Sequence, residues 1–369
     1  MTMEKHETEI HTSSQIKGID YVELYVSNSL QAAYFYETAF GFKRVAYVGL
    51  ETGVQDRTSF MVEQGKIRLV LTSPLHSDTP IADSVKAHGD CVQNIAFTVD
   101  NAVHAFEEAV KYGARSIMEP RVFEDQEKRS IQARVGVYGD TMHSFVQHDT
   151  SDYALLPECR AIQSPQPPSL ANFSIVDHIA ITVEQDEVDR WTNFYHQAFD
   201  FHELFQQEVS TDYSAMKSKA IQNQVGSVKF VLMEPAAGKR KSQIEEYLMF
   251  NGGPGVQHLG MLSNDIVKAT RDLSARGIQF LHTPPTYYDV LEGRIGEIDE
   301  DIAALRELNI LADRDEWGYL LQIFTKPLQA RPTFFIEIIQ RRNARGFGGG
   351  NVKALFEAIE REQVLRGNL

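Results

Sequence analysis

The chain repeats itself, and a repeat constrains what it can fold into more than any single motif. GIDYVELYV at 18–26 and IVDHIAITV at 175–183 both alternate apolar and polar residues as half-buried strands do. Each leads into a helix-patterned stretch that closes on similar letters, YFYETAFGF at 34–42 and NFYHQAFDF at 193–201. A second echo lies deeper in each half, where DCVQNIAFTVDNAVHAFEEAVKYGA at 90–114 matches PGVQHLGMLSNDIVKATRDLSARGI at 254–278. Each half therefore holds two strand-and-helix units, and the chain four. A strand, a helix and then further strands, repeated in pairs, give curved mixed sheets that can close around a cavity, so the expected fold class is α+β. The Pro-rich polar stretch LLPECRAIQSPQPPSL at 155–170 is the expected linker between domains 17–154 and 171–369, with residues 1–16 as a flexible N-terminus.

At 369 residues the chain is long enough for two ordinary domains, each with its own core. Its 36 Lys and Arg against 51 Asp and Glu leave a formal charge of −15, which repels a phosphate backbone, so no nucleic-acid partner is expected. The basic cluster Lys239, Arg240 and Lys241 reads as a solvated loop. No apolar run approaches the ~18 residues of a membrane span, and the polar start lacks the apolar core of a signal peptide. The expectation is a cytoplasmic protein with no membrane partner. Cys91 and Cys159, two thiols in all, make neither a disulfide framework nor a cysteine-based zinc site.

Two histidines stand at matching places of the second half. His178 lies in its first strand and His258 in the corresponding strand of its second unit, both within apolar alternation; the first half has Tyr21 and Asn94 there. Glu337 sits in PTFFIEIIQ at 332–340, flanked by Phe335, Ile336, Ile338 and Ile339. Taken singly, each histidine reads as an ordinary core residue. A carboxylate buried in such a strand, however, needs an arginine, a histidine or a metal. Two neutral imidazoles and one carboxylate with open positions form the facial triad of non-haem Fe(II) oxygenases, and zinc fits the same ligands on affinity grounds. Metal chemistry is expected in the second half alone.

The paired units resemble the vicinal oxygen chelate superfamily, whose βαβββ modules form half-open barrels around a metal. From about residue 17 to the C-terminus the chain resembles the family of 4-hydroxyphenylpyruvate dioxygenase and its sister 4-hydroxymandelate synthase, through GVQH at 255–258, ILADRDEWGYLLQIFTKP at 310–327, RPTFFIEIIQR at 331–341 and GFGGGNVKALFEAIEREQ at 346–363. The resemblance implies two tandem barrels, the first without metal, and an Fe(II) cofactor on His178, His258 and Glu337. It implies a decarboxylating dioxygenase whose 2-oxo acid substrate, an arylpyruvate, supplies the electrons for O2, with no separate 2-oxoglutarate. It places Gln257, Gln322 and Phe347 in catalysis and Ser218, Gln243, Phe324 and Phe335 in the substrate pocket. The helix after GFGGG would then be a gate, and the protein a homo-oligomer, dimer or tetramer.

Two pocket positions depart from the homogentisate-forming pattern: Met233 stands where those enzymes have asparagine and Val352 where they have phenylalanine. Mandelate-forming relatives are apolar and non-aromatic at both, so three readings stay open: 4-hydroxyphenylpyruvate with homogentisate as product, benzylic hydroxylation to 4-hydroxymandelate, and a related 2-oxo acid dioxygenase on a less polar substrate. A non-catalytic binding protein on the same fold and a metal-dependent isomerase or lyase are the competing classes; O2 consumption separates them from an oxygenase.

Overall fold

Each alternating segment becomes a strand and each 3.6-period stretch a helix, in the order strand, helix, three strands, four times over. The structure, a computed structural model, describes residues 16–125, 128–149, 158–162, 172–211 and 213–367. The proposed flexible N-terminus lies outside these residues except for Ile16, as does most of the proposed linker.

In the first half, β1 (Ile16–Tyr25), β2 (Lys43–Val48), β3 (Arg57–Gln64), β4 (Ile67–Pro74), β5 (Cys91–Val99), β6 (Arg115–Asp125), β7 (Lys128–Gly136) and β8 (Met142–His148) form one sheet, joined by the short β9 (Arg160–Ala161). Its order is β6-β7-β8-β5-β1-β4-β3-β2-β9. In the second half the strands are β10 (Phe173–Thr182), β11 (His202–Ser210), β12 (Ala215–Gln222), β13 (Lys229–Ala236), β14 (Gly255–Ser263), β15 (Leu311–Arg314), β16 (Tyr319–Phe324) and β17 (Phe335–Arg342), in the order β11-β12-β13-β10-β14-β17-β16-β15. The modules meet through the antiparallel pairs β1·β5 and β10·β14.

Local chemistry repeats with the topology. The helices Ser29–Thr38, Ala102–Lys111 and Ile266–Ala275 each start on a side-chain cap, from Asn28, Asn101 and Asp265, which accepts the backbone N–H three residues on. Alternation then divides each strand between two environments. On β10, Ile179 and Ile181 join the large core beneath the helices, while Ala180 joins a separate cluster inside the half-barrel. The large core is continuous across the two halves. At the seam Tyr138 packs edge-on to Trp191 at 5.5 Å, and His143 meets the Tyr195 hydroxyl at 2.6 Å.

Sequence periodicity does not announce two features. Three short helices between Thr286 and Leu308 are inserted ahead of β15. The C-terminal helix, Gly349–Arg366, lies across the open side of the second barrel and buries polar residues, Asn351, Glu360 and Gln363, together with Phe356 and Ala358.

Candidate metal centre and substrate pocket

Register sets the site. His178 pairs with Gly260 across β10 and β14, and Gly260 pairs with Glu337 across β14 and β17, so the imidazole and the carboxylate flank a residue without a side chain. A Cβ on Gly260 would lie 2.4 Å from His178 Cε1, so the ring occupies the space that only glycine leaves. His258 enters two residues earlier on β14. The three side chains converge: Glu337 Oε2 lies 3.0 Å from His178 Nε2 and 3.4 Å from His258 Nε2. All three are buried, and one ligand atom from each lies within 4.8 Å of the others. Three ligands about 2.0–2.2 Å from one ion at right angles would be about 3 Å apart, close to the two carboxylate–imidazole distances, so the set suits a divalent metal.

The outer ring nitrogens are held as metal-bound histidines require. His178 Nδ1 donates to Asp177 Oδ1 at 3.0 Å, and His258 Nδ1 donates to Gln257 Oε1 at 3.1 Å, which turns both Nε2 atoms toward Glu337. Asp177 is in turn gripped by Arg341, Nε to Oδ2 and Nη2 to Oδ1, both at 2.8 Å. Burial opposes charge on His178, but Glu337 and Asp177 outweigh it and raise the imidazole to about 9 in the metal-free chain. Glu337 shows the converse: burial opposes its ionisation, and the two histidines bring it down to about 2. His258 is lowered, chiefly by burial.

Gln322 reaches Glu337. Its amide Nε2 donates to Glu337 Oε1 at 2.9 Å and to the Phe347 carbonyl at 3.2 Å, while its Oε1 accepts from Asn351 Nδ2 at 2.9 Å. The C-terminal helix is thereby tied to the metal site through Asn351, Gln322 and Glu337. Gly348, at φ +71°, is required at that junction, since a Cβ there would run into Gln322 Oε1. The Phe347 ring lies edge-on to His178 at 5.2 Å and near Phe205 at 5.4 Å. Beyond it a cavity of about 600 Å³, bordered by Phe205, Trp317 and Arg341, faces outward.

Phe335 stacks on His258 at 4.7 Å, with Phe324 edge-on at 6.3 Å. Met233 and Val352 fall into one cluster with Ala180, Met216, Ile244 and Phe356, beneath the C-terminal helix. Ser218 pairs with Met233 across β12 and β13 and donates to the Gln207 carbonyl at 3.3 Å. Gln243 and Gln257 border a narrow cleft of about 30 Å³ with Phe335. Among the described residues the Gln243 Oε1 and both amide atoms of Gln363 are buried without a partner, which suits them to a polar ligand. Asp177, Arg341, Asn351 and Gln363 were not singled out in the sequence. The first left a signal there, because the Asp before His178 is repeated as Asp20 before Tyr21.

Comparisons with known proteins place the chain in a family. The model of the glyoxalase/bleomycin resistance protein/dioxygenase superfamily matches residues 18–136 and 175–323. A protein from Yarrowia lipolytica named 4-hydroxyphenylpyruvate dioxygenase is 42% identical, over 96% of this chain and 94% of its own length. One of the same name from Danio rerio is 40% identical over 95% of this chain and 91% of its own. Among solved structures, a triple mutant of 4-hydroxymandelate synthase from Streptomyces coelicolor superposes with a TM-score of 0.87 at 38% identity, covering 95% of this chain and 99% of that one.

Proposed function

The chain belongs to the 4-hydroxyphenylpyruvate dioxygenase family, and from that premise we propose that it is an Fe(II)-dependent decarboxylating dioxygenase of 4-hydroxyphenylpyruvate, forming homogentisate. The observation that carries the reading is the convergence of His178, His258 and Glu337 on one point of the second barrel. Bound there, iron would chelate the substrate's 2-oxo acid and activate O2, because three protein ligands leave positions open.

The chain's own residues do the rest. Asp177 and Gln257 fix the ring orientations, and Gln322 fixes Glu337. Phe335 and Phe324 give the substrate ring an aromatic wall beside His258. Phe347 stands between the metal site and the outer cavity, so substrate entry requires it to swing with the helix that follows. The helix is held at its far end by Arg366, which donates to Glu246 at 2.6 Å, and by Glu360, which accepts from Thr211 at 2.7 Å. We assign catalysis to a domain of residues 171–369 beside a metal-free domain of 17–154, in a cytoplasmic homo-oligomer, dimer or tetramer. Light scattering tests the assembly.

A second reading has one observation in its favour. Met233 and Val352 share an apolar cluster beneath the C-terminal helix, so these two side chains offer a phenol no polar partner. A small change of pose would direct oxidation to the benzylic carbon, with 4-hydroxymandelate as product. Enzyme loaded with iron anaerobically and given 4-hydroxyphenylpyruvate and O2 separates the two, with the isomeric products resolved by chromatography. Combined Met233→Asn and Val352→Phe should move the ratio toward homogentisate by up to about tenfold, since a new polar partner contributes about 0.5–1.5 kcal/mol. Absence of both products would overturn the substrate assignment.

A further inference from the structure

The first half-barrel has its own cavity, of about 440 Å³, at the place pseudo-symmetric to the metal site. Its wall holds Tyr21, Glu23, Tyr25, Arg134 and Phe123. The ladders show what replaced the metal ligands. Tyr21 pairs with Ala96 and Ala96 with Ser144, as His178 pairs with Gly260 and Gly260 with Glu337. Arg134 pairs with Ser144 where Phe324 pairs with Glu337. A guanidinium on β7 has thus entered the region where the other barrel brings His178, His258 and Glu337 together.

That guanidinium is held by the Ser144 and Tyr21 side chains. Its Nε donates to Ser144 Oγ at 3.1 Å, and Ser144 Oγ donates to Asn94 Oδ1 at 3.1 Å. Among the described residues Arg134 makes no ion pair, whereas Arg57 at the rim is engaged by Asp56 at 3.0 Å and Glu158 at 3.1 Å. The Glu23 carboxylate is held apart from Arg134 by Thr72 Oγ1 at 2.8 Å and Asn94 Nδ2 at 3.3 Å. Burial keeps the Tyr21 phenol at about 12 despite Arg134, so it stays a neutral donor. The cavity therefore presents a cationic fork and a neutral donor on one side, a carboxylate on another, and Tyr25, Phe123 and Ile81 as apolar wall.

We propose that the first half-barrel is a non-catalytic binding site for a small α-amino acid with an apolar side chain, its carboxylate on Arg134 and Tyr21 and its ammonium on Glu23. A guanidinium–carboxylate fork is the strongest neutralisation the wall offers, and Glu23 accounts for a donor on the same ligand. The inference is independent of the activity assigned to the second barrel.

The test is equilibrium binding of L-phenylalanine to the full-length, metal-free chain, followed by calorimetry. Phenylacetate, which lacks the ammonium, and phenethylamine, which lacks the carboxylate, serve as comparison probes. One site per chain is expected, with L-phenylalanine bound more tightly than either probe. Arg134→Met should weaken L-phenylalanine at least about tenfold. Glu23→Gln should weaken L-phenylalanine and leave phenylacetate unchanged. The double variant His178→Ala/His258→Ala should bind as the parent does. Arg134→Lys, which keeps the charge and loses the fork, should fall between parent and Arg134→Met, and it carries the test if Arg134→Met fails to fold. Three results would each overturn the proposal: no saturable binding at about 1 mM ligand, equal binding by parent and both Arg134 variants, or loss of binding in the double-histidine variant.

Discussion

The two half-barrels are built on one ladder and line it with different chemistry. Val22 and Ile179 occupy the same place, each buried in the shared core. One residue earlier, facing into the barrel, Tyr21 corresponds to His178; Asn94 corresponds to His258, and Ser144 to Glu337. The core-facing set is largely apolar because it buries against the helices, whereas the barrel-facing set is freer to change. The difference extends to the glycine. Where an imidazole lies over the middle strand the residue is Gly260, and where a tyrosine stands instead it is Ala96. Positive charge is supplied in the first barrel by Arg134, and in the second it would come from a metal held on His178, His258 and Glu337.

The sharpest way to break this comparison is to remove a ligand. Glu337→Ala should lose bound iron and bring turnover to background with little change in melting temperature, because the carboxylate is held by polar contacts and contributes little packing. Tyr21→Phe and Asn94→Ala, at corresponding places of the first barrel, should leave iron content per chain as it was. Full iron occupancy in Glu337→Ala would strike that residue from the ligand set.

Next in size is the glycine exchange. Gly260→Ala puts a methyl 2.4 Å from the His178 ring, so the ring must leave its position or the strands must separate. We expect iron affinity to fall by about 100-fold or more, beyond the outer-sphere effects usual for metal sites. The reverse change, Ala96→Gly, should cost only about 0.5–1 kcal/mol of strand stability and leave iron untouched. Iron titration of the two variants side by side decides it, and an unchanged Gly260→Ala would mean that His178 can ligate from elsewhere.

The sequence made much of this arrangement legible, and the reason lies in the repeat. Two copies of the same strand text fixed which positions correspond, so the polar residues His178, His258 and Glu337 stood out against apolar neighbours. The support behind them was harder to read. Asp177 and His178 are adjacent, and adjacent residues on a regular strand face opposite sides. The ladder slips between Val176 and His178, which lets both side chains meet, and no letter in the sequence marks that irregularity. Arg341 and Asn351 reach the site from regions 164 and 29 positions away from their partners, a closeness that only the fold creates. The helix after GFGGG buries Glu360 and Gln363, so the face it turns inward is partly polar, which its letters do not mark.

Asp177→Asn probes that hidden support at smaller cost. The change keeps the shape, removes the charge that faces Arg341 and weakens the acceptor for His178 Nδ1. Iron affinity should drop about 10- to 100-fold, and added iron should restore turnover. Asp20→Asn, its counterpart in the first barrel, should leave iron affinity unchanged. If the two variants bind iron equally, the Asp177–Arg341 pair is a packing feature only.

The smallest effect belongs to the seam, where the halves again differ at one ladder position. His143 pairs with Ile95 as Ile336 pairs with Leu259, so the first half places an imidazole where the second has an isoleucine. The ring is buried between Phe97 and Phe230, donates from Nδ1 to the Met142 carbonyl at 3.0 Å and accepts the Tyr195 hydroxyl at 2.6 Å. Burial lowers its pKa from 6.5 to about 3, so the folded chain keeps it neutral while the unfolded chain protonates it near 6.5. The unfolded state therefore binds more protons between those values. This contribution to stability is complete above the unfolded pKa and is lost as pH falls, by about 1.4 kcal/mol for each unit below 6.5. His143→Phe removes the titrating group and the acceptor for Tyr195, and should be less stable than the parent at pH 7.5 by about 1–3 kcal/mol. Its further loss on going to pH 5.5 should be smaller than the parent's by about 1.4 kcal/mol, because every other titrating group is common to both chains. Urea unfolding at the two pH values measures the difference; parallel losses would mean that His143 is protonated in the folded seam.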